Sequence, residues 1–138
     1  MVDVVSEEKQ VLFGDDSIVI RQFISGIEGG RALDVTDFTT ATGTSIVKSG
    51  TFIIRDDNGN YKPAPVTKNS EGEVSNGETF SASAVVGILV ATIDAKKDGA
   101  GIMTAGRVNK AVLPYGGSAK AASVAEVLTH IEFMEDGE

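Results

Sequence analysis

A chain of 138 residues, 41% apolar and 23% charged, has room for one domain with a core and lies outside the compositions of disordered or collagen-like proteins. Its 20 acidic side chains against 12 basic ones leave a net charge of −8. The lysines and arginines are scattered along the whole length, so a nucleic-acid partner is not expected. Cysteine is absent, which removes disulfides, thiolate nucleophiles and soft-metal sites together. No basic segment followed by an apolar one opens the sequence, and the longest apolar run, Val85–Ala91, is far short of the roughly 18 residues of a membrane helix. The expectation is a soluble protein that stays where it is made, with no membrane partner.

Sixteen glycines with only 6% aromatic residues predict short strands joined by tight turns rather than long helices. Residues 1–9 are polar and acidic without a period and read as a flexible N-terminal arm. From residue 10 onward a single β-rich domain is expected. Its first pieces are Val11-Leu12-Phe13 and Ser17–Ile24, where β-branched and aromatic residues dominate between turn formers. Gly26–Gly30 reads as a break, Arg31–Val35 as a short strand, and Thr39–Thr44 as a threonine-rich loop. Ile46-Val47 leads to a corner at Ser49-Gly50 and to a strand at Thr51–Arg55. Asp56–Asn60 reads as a hairpin turn, with Asn58-Gly59 supplying positive φ angles. Two prolines put Lys62–Val66 at a sheet edge, because proline cannot donate to a ladder. Residues 67–78 are the most loop-like stretch.

The run Val85-Val86-Gly87-Ile88-Leu89-Val90-Ala91 is a compact buried strand by composition. The chain then turns over Asp98-Gly99 and returns through Ile102-Met103 to a corner at Ala105-Gly106 before Val108. Ile46–Phe52 and Ile102–Val108 share an apolar pair and a small-residue–glycine step, which suggests two glycine-cornered hairpins. Gly50, Asn58, Gly59, Gly87, Gly99 and Gly106 are therefore the predicted turn and corner residues. A helical period appears only in Ala119–Leu128, where Val124, Val127, Leu128 and Ile131 stand at i, i+3, i+4 and i+7. Ser118 is its expected N-cap, and Ile131-Glu132-Phe133 a closing strand.

Catalytic chemistry finds little to stand on. Asp56, Asn58 and Asn60 alternate like the start of a calcium loop, but Tyr61 and Thr67 occupy the positions that need glycine and a bidentate glutamate. His130 stands alone and reads as a surface histidine. Gly26–Gly30 and Gly99–Gly106 lack the spacing of phosphate-binding loops, and no serine sits in a nucleophile elbow. The carboxylate pairs Asp15-Asp16, Asp56-Asp57 and Glu135-Asp136 read as solvated. No enzyme activity, metal or cofactor is expected.

In order along the chain, Val86–Ala91, Ile102–Asn109, Ala119–Leu128 and Ile131–Phe133 resemble the block shared by lambda-type head decoration proteins and related head-decoration or head-fibre proteins of tailed phages. That block has a "VGIL" strand, an apolar strand ending in a small-residue–glycine corner, a helix and a final apolar strand. Gly50–Ile54 through Tyr61-Lys62-Pro63 also looks like that group, and the resemblance covers roughly residues 31–136. It implies a β-rich fold (mainly β or α+β) with one C-terminal helix. It implies a homotrimer bound to the major capsid protein on the outside of the expanded head, in a virion assembled in the host cytoplasm. The pieces between residues 10 and 24 depart from the simplest members and would be added strands or an oligomerisation element. Val4, Val5, Val11, Leu12 and Phe13 are the candidates for capsid contact or strand addition. The alternatives are a capsid-attachment module of a head fibre and a stand-alone surface-binding β domain.

Overall fold

The computed structural model describes residues 19–76 and 80–134, apart from the side chains of residues 28–30. The fold is β-rich. The long strands β1 (Ile20–Arg31) and β9 (Ala100–Asn109) run antiparallel. Next to β9 lie β7 (Val85–Leu89), β3 (Phe52–Arg55) and β4 (Tyr61–Pro63), giving the order β1-β9-β7-β3-β4. The far half of β9 is paired on the same side by β10 (Ile131–Met134), which runs parallel to it. The sheet curls: the chain leaving β1 meets the opposite end of the order, where Leu33 bridges Tyr61 and the Asp34 N–H donates to the Tyr61 carbonyl at 2.9 Å. The outer side of β4, with its edge proline, is thus partly covered.

Residues in register divide between the two faces. Phe52, Ile88 and Met103 pack in one cluster with Val108, Leu113, Val124, Leu128 and Ile131. Their neighbours Ile53, Leu89 and Ile102 pack in another with Leu33, Val35, Phe38, Val47, Val66 and Ile93. Successive strand residues point to opposite faces, so the middle of the sheet is buried on both sides. That explains why Val85–Val90 is continuously apolar instead of alternating. The first cluster is roofed by 3₁₀ turns at Lys110–Val112 and Gly117–Lys120 and by a short helix at Ala121–Ala125. The second is covered by a helix at Thr36–Thr42 and by two ribbons, β2 (Ile46–Val47) with β8 (Ile93–Asp94) and β5 (Val66–Lys68) with β6 (Val74–Asn76). In chain order we call these helices α1 (Thr36–Thr42) and α2 (Ala121–Ala125).

Several local expectations need correction. Gly26–Gly30 is not a break, because β1 runs through it. A Cβ on Gly26 would overlap the Ile102 carbonyl of β9, so glycine here permits close backbone approach, and the pairing slips in register beside it. The threonine-rich stretch Thr39–Thr44 is not a loop alone: its first four residues are the C-terminal half of the helix Thr36–Thr42. The Asp34 carboxylate accepts from the Thr36 N–H, and buried Phe38 anchors the turn. The Thr40 and Thr42 hydroxyls donate to carbonyls four residues back, and Gly43 ends α1 in the left-handed conformation. Residues 67–78 contain the β5–β6 hairpin rather than loop alone.

The C-terminal helix is shorter than its periodicity predicts. Only Ala121–Ala125 is α-helical, Ser118 lies in the preceding 3₁₀ turn, and Lys120 at the N-cap makes no side-chain cap. Val124, Leu128 and Ile131 are buried as expected, but Val127 is 40% exposed. The helix ends before Val127, so the i+3 position no longer shares its face.

Candidate functional site

The predicted corner residues divide by role. Gly50 holds a left-handed φ of 91°, and a Cβ there would press on Val19 and Pro114, so it is a true corner between β2 and β3. Gly87 lies inside β7 where a Cβ would meet the Ile102 side chain and the Met103 carbonyl. Gly106 is also within a strand and not at a corner, since β9 continues to Asn109. There a Cβ would strike the Gln22 carbonyl and the Met103 sulfur. The turn before β9 is built on Asp94, whose carbonyl accepts from the Lys97 and Asp98 N–H groups, and Gly99 leads from it into the strand. At Asp56–Asn60 only Gly59 has positive φ, 87°. The turn is a longer loop organised by the Asp56 side chain, not a two-residue primed turn.

Val4, Val5, Val11, Leu12 and Phe13 lie outside the described residues, as do the arm 1–9 and the carboxylate pairs Asp15-Asp16 and Glu135-Asp136. The surface next to them is informative. β1 ends the sheet order, and among the described residues no strand pairs with its outer edge. Phe23 is 53% and Ile24 61% exposed. Ile24 is the extra residue between the Phe23–Gly106 and Ser25–Ala105 pairs, so the edge carries two adjacent uncovered apolar side chains. Paired register slips between Phe23 and Ser25 and between Ser25 and Gly26 bend the strand at this point. A long edge strand with apolar side chains is the surface most apt for strand addition or docking. Sequence reading placed these residues in a strand without singling them out. The signal was present in Ile20–Ser25, where apolar residues occur at both parities instead of on one face.

A second exposed feature gathers positive charge. The Arg31 and Arg55 guanidiniums each lie 5.7 Å from the Tyr61 ring centroid, and Arg55 is the direct cross-strand partner of Tyr61. Stacking on an aromatic ring orders a guanidinium while leaving its in-plane N–H donors available. Lys62 next door faces Asp56 at 3.8 Å.

Polar groups elsewhere are tied into turns. The Ser45 hydroxyl donates to Asp94 at 2.6 Å and the Lys96 N–H donates to the same oxygen at 3.2 Å, and these bonds hold the Asp94 carboxyl below its ordinary pKa. The Thr36 backbone and hydroxyl do the same for Asp34. Burial pushes the Tyr115 phenol upward, against a hydrogen bond with the Lys48 backbone. His130 is exposed, and its carbonyl accepts from the Gly106 N–H at 3.1 Å. A hollow of about 130 Å³ lined by Asp34, Asp37, Phe38, Ile54, Lys62 and Pro63–Val66 brings two carboxylates and one ammonium to a mostly apolar wall. It holds no nucleophile–base pair. Among the described residues, no three histidine, aspartate or glutamate side chains cluster as metal ligands. No family model, no curated protein and no solved structure matches this chain.

Proposed function

We propose that this protein is a non-enzymatic capsid decoration protein that binds the outside of an expanded tailed-phage head as a homotrimer and stabilises the major capsid lattice. The observation that carries the reading is the arrangement of the block on which the resemblance rests. Val85–Leu89, Ala100–Asn109 and Ile131–Met134 form adjoining strands of one sheet, with Ala121–Ala125 packed over them. The segments that resemble decoration proteins in order along the chain therefore form one structural unit rather than scattered matches.

The apolar edge of β1 supports the same reading, since Phe23 and Ile24 offer a surface for an added strand or a neighbouring subunit. On a symmetric shell, many such contacts of modest strength sum to a firm clamp through multivalency. The test is co-sedimentation of the purified protein with expanded and unexpanded heads of its parent phage. Saturable binding to expanded heads supports decoration, and binding to neither kind of shell refutes it.

A further inference from the structure

We propose that Asn58 is a latent modification site, a deamidating asparagine held unreactive by the loop that Asp56 organises. An asparagine followed by glycine is the sequence most open to intramolecular attack, because glycine puts no side chain in the way of its own nitrogen. In the reaction the Gly59 nitrogen gives up its proton and attacks the Asn58 Cγ. The new C–N bond closes a succinimide, and the carboxamide nitrogen leaves as ammonia after taking a proton from water. Water then opens the ring at either carbonyl to give aspartate or isoaspartate. The sum is asparagine plus water giving the acid and ammonia, and no other reactant is needed.

The geometry opposes this reaction in the closed hairpin. The attacking Gly59 N–H is engaged with the Asp56 carbonyl at 3.0 Å. The Asp56 carboxylate accepts from the Asn58 and Asn60 N–H groups at 2.9 Å each, and the Asp56 N–H donates to the Asn60 carbonyl at 3.0 Å. One residue thus fixes the loop at four points, and Arg55–Tyr61 pairing closes it below. Asn58 itself is exposed to water. Attack requires the Gly59 bond to break and the loop to open, so the rate at Asn58 follows the local opening of the β3–β4 hairpin.

The chain contains the same loop a second time. Asn69 takes the place of Asp56: its side-chain oxygen accepts from the Glu71 and Glu73 N–H groups at 2.9 Å. The Gly72 N–H donates to the Asn69 carbonyl at 3.0 Å, and the Asn69 N–H donates to the Glu73 carbonyl at 2.9 Å. Gly72 matches Gly59 in conformation, with φ values of 86° and 87°. Glu71 stands where Asn58 stands, so this loop has the geometry without the reactive amide. It also shows that asparagine can replace aspartate as the organiser.

The test is incubation of the full chain at mildly alkaline pH, folded and in urea, with peptide mapping of Asn58. Tryptic cleavage after Arg55 and Lys68 separates Asn58 from Asn76, the other asparagine followed by glycine. Folded protein should deamidate at Asn58 about tenfold or more slowly than the urea-unfolded chain. Asp56→Ala should lose most of that protection, and Asp56→Asn should keep it. Equal rates in folded and unfolded chains would overturn the proposal, and so would an Asp56→Ala variant that folds and stays as protected as wild type. Hydrogen exchange of the Gly59 amide in the unmodified protein gives a reading independent of any variant. Its protection should match that of Asn58, and a freely exchanging amide beside a protected Asn58 would refute the lock.

Discussion

Ile88 and Leu89 are adjacent and both fully buried, yet they belong to different core clusters. In a sheet covered on one face only, truncating one of two neighbouring residues is costly and truncating the other is nearly neutral. Here Ile88→Ala and Leu89→Ala should both be costly. Large-to-small changes at close-packed sites cost about 2–5 kcal/mol, the transfer term adding to the cavity left behind. With an unfolding entropy of about 2.1 cal/mol/K per residue, a chain of this length has a total near 0.29 kcal/mol/K, so a loss of about 3.5 kcal/mol lowers Tm by about 12 °C. Ile24→Ala on the open edge of β1 should cost less than about 0.5 kcal/mol, as an exposed control. Urea titration of the three variants with two spectroscopic probes measures this directly. A cost below about 1 kcal/mol at either Ile88 or Leu89 would refute burial of the sheet on both faces.

Other outcomes follow from single sites. Gly106→Ala should destabilise more than an ordinary strand glycine replacement, because the added Cβ meets the Gln22 carbonyl and the Met103 sulfur; a neutral result in thermal melts would contradict the close approach of β1 to β9. Hydrogen bonds hold the Asp34 and Asp94 carboxyls below their usual pKa. Their contribution to stability is therefore present above the unfolded carboxylate pKa, near 3.9, and is lost as pH falls through the lower folded values. Asp94→Asn should flatten that acid limb in melts recorded across pH, and an unchanged limb would show that the Ser45 bond does not couple to folding. Phe23→Asp with Ile24→Lys should leave the melting temperature nearly unchanged while weakening shell binding severalfold, since both side chains are exposed. Full binding by that variant would remove β1 from the proposed interface.

Much of the sheet was legible because its strands obey local rules. Val85–Leu89 is a continuous apolar run, Asp56–Asn60 is dense in turn formers, and Ile131-Glu132-Phe133 reads as a short closing strand. What was missed depends on tertiary partners. Gly26–Gly30 looks like a break in isolation, but β1 runs through it and its backbone approaches β9 closely at Gly26. Thr36–Thr42 has poor helix propensity, and buried Phe38 and the Asp34 contact offset it. The register that pairs β10 in parallel with the far half of β9 has no short-range signature. The exposed pair Phe23 and Ile24 was hidden for a related reason: apolar residues in a strand signal burial until the pairing shows which edge is open.

Imaging expanded heads of the parent phage after incubation with the purified protein, with unexpanded heads beside them, tests decoration itself. A decoration protein should give saturable density at three-fold positions of expanded heads only, with β1 facing a capsid subunit or a neighbouring copy. Bare shells of both kinds at a large molar excess of protein over capsid subunits would contradict it.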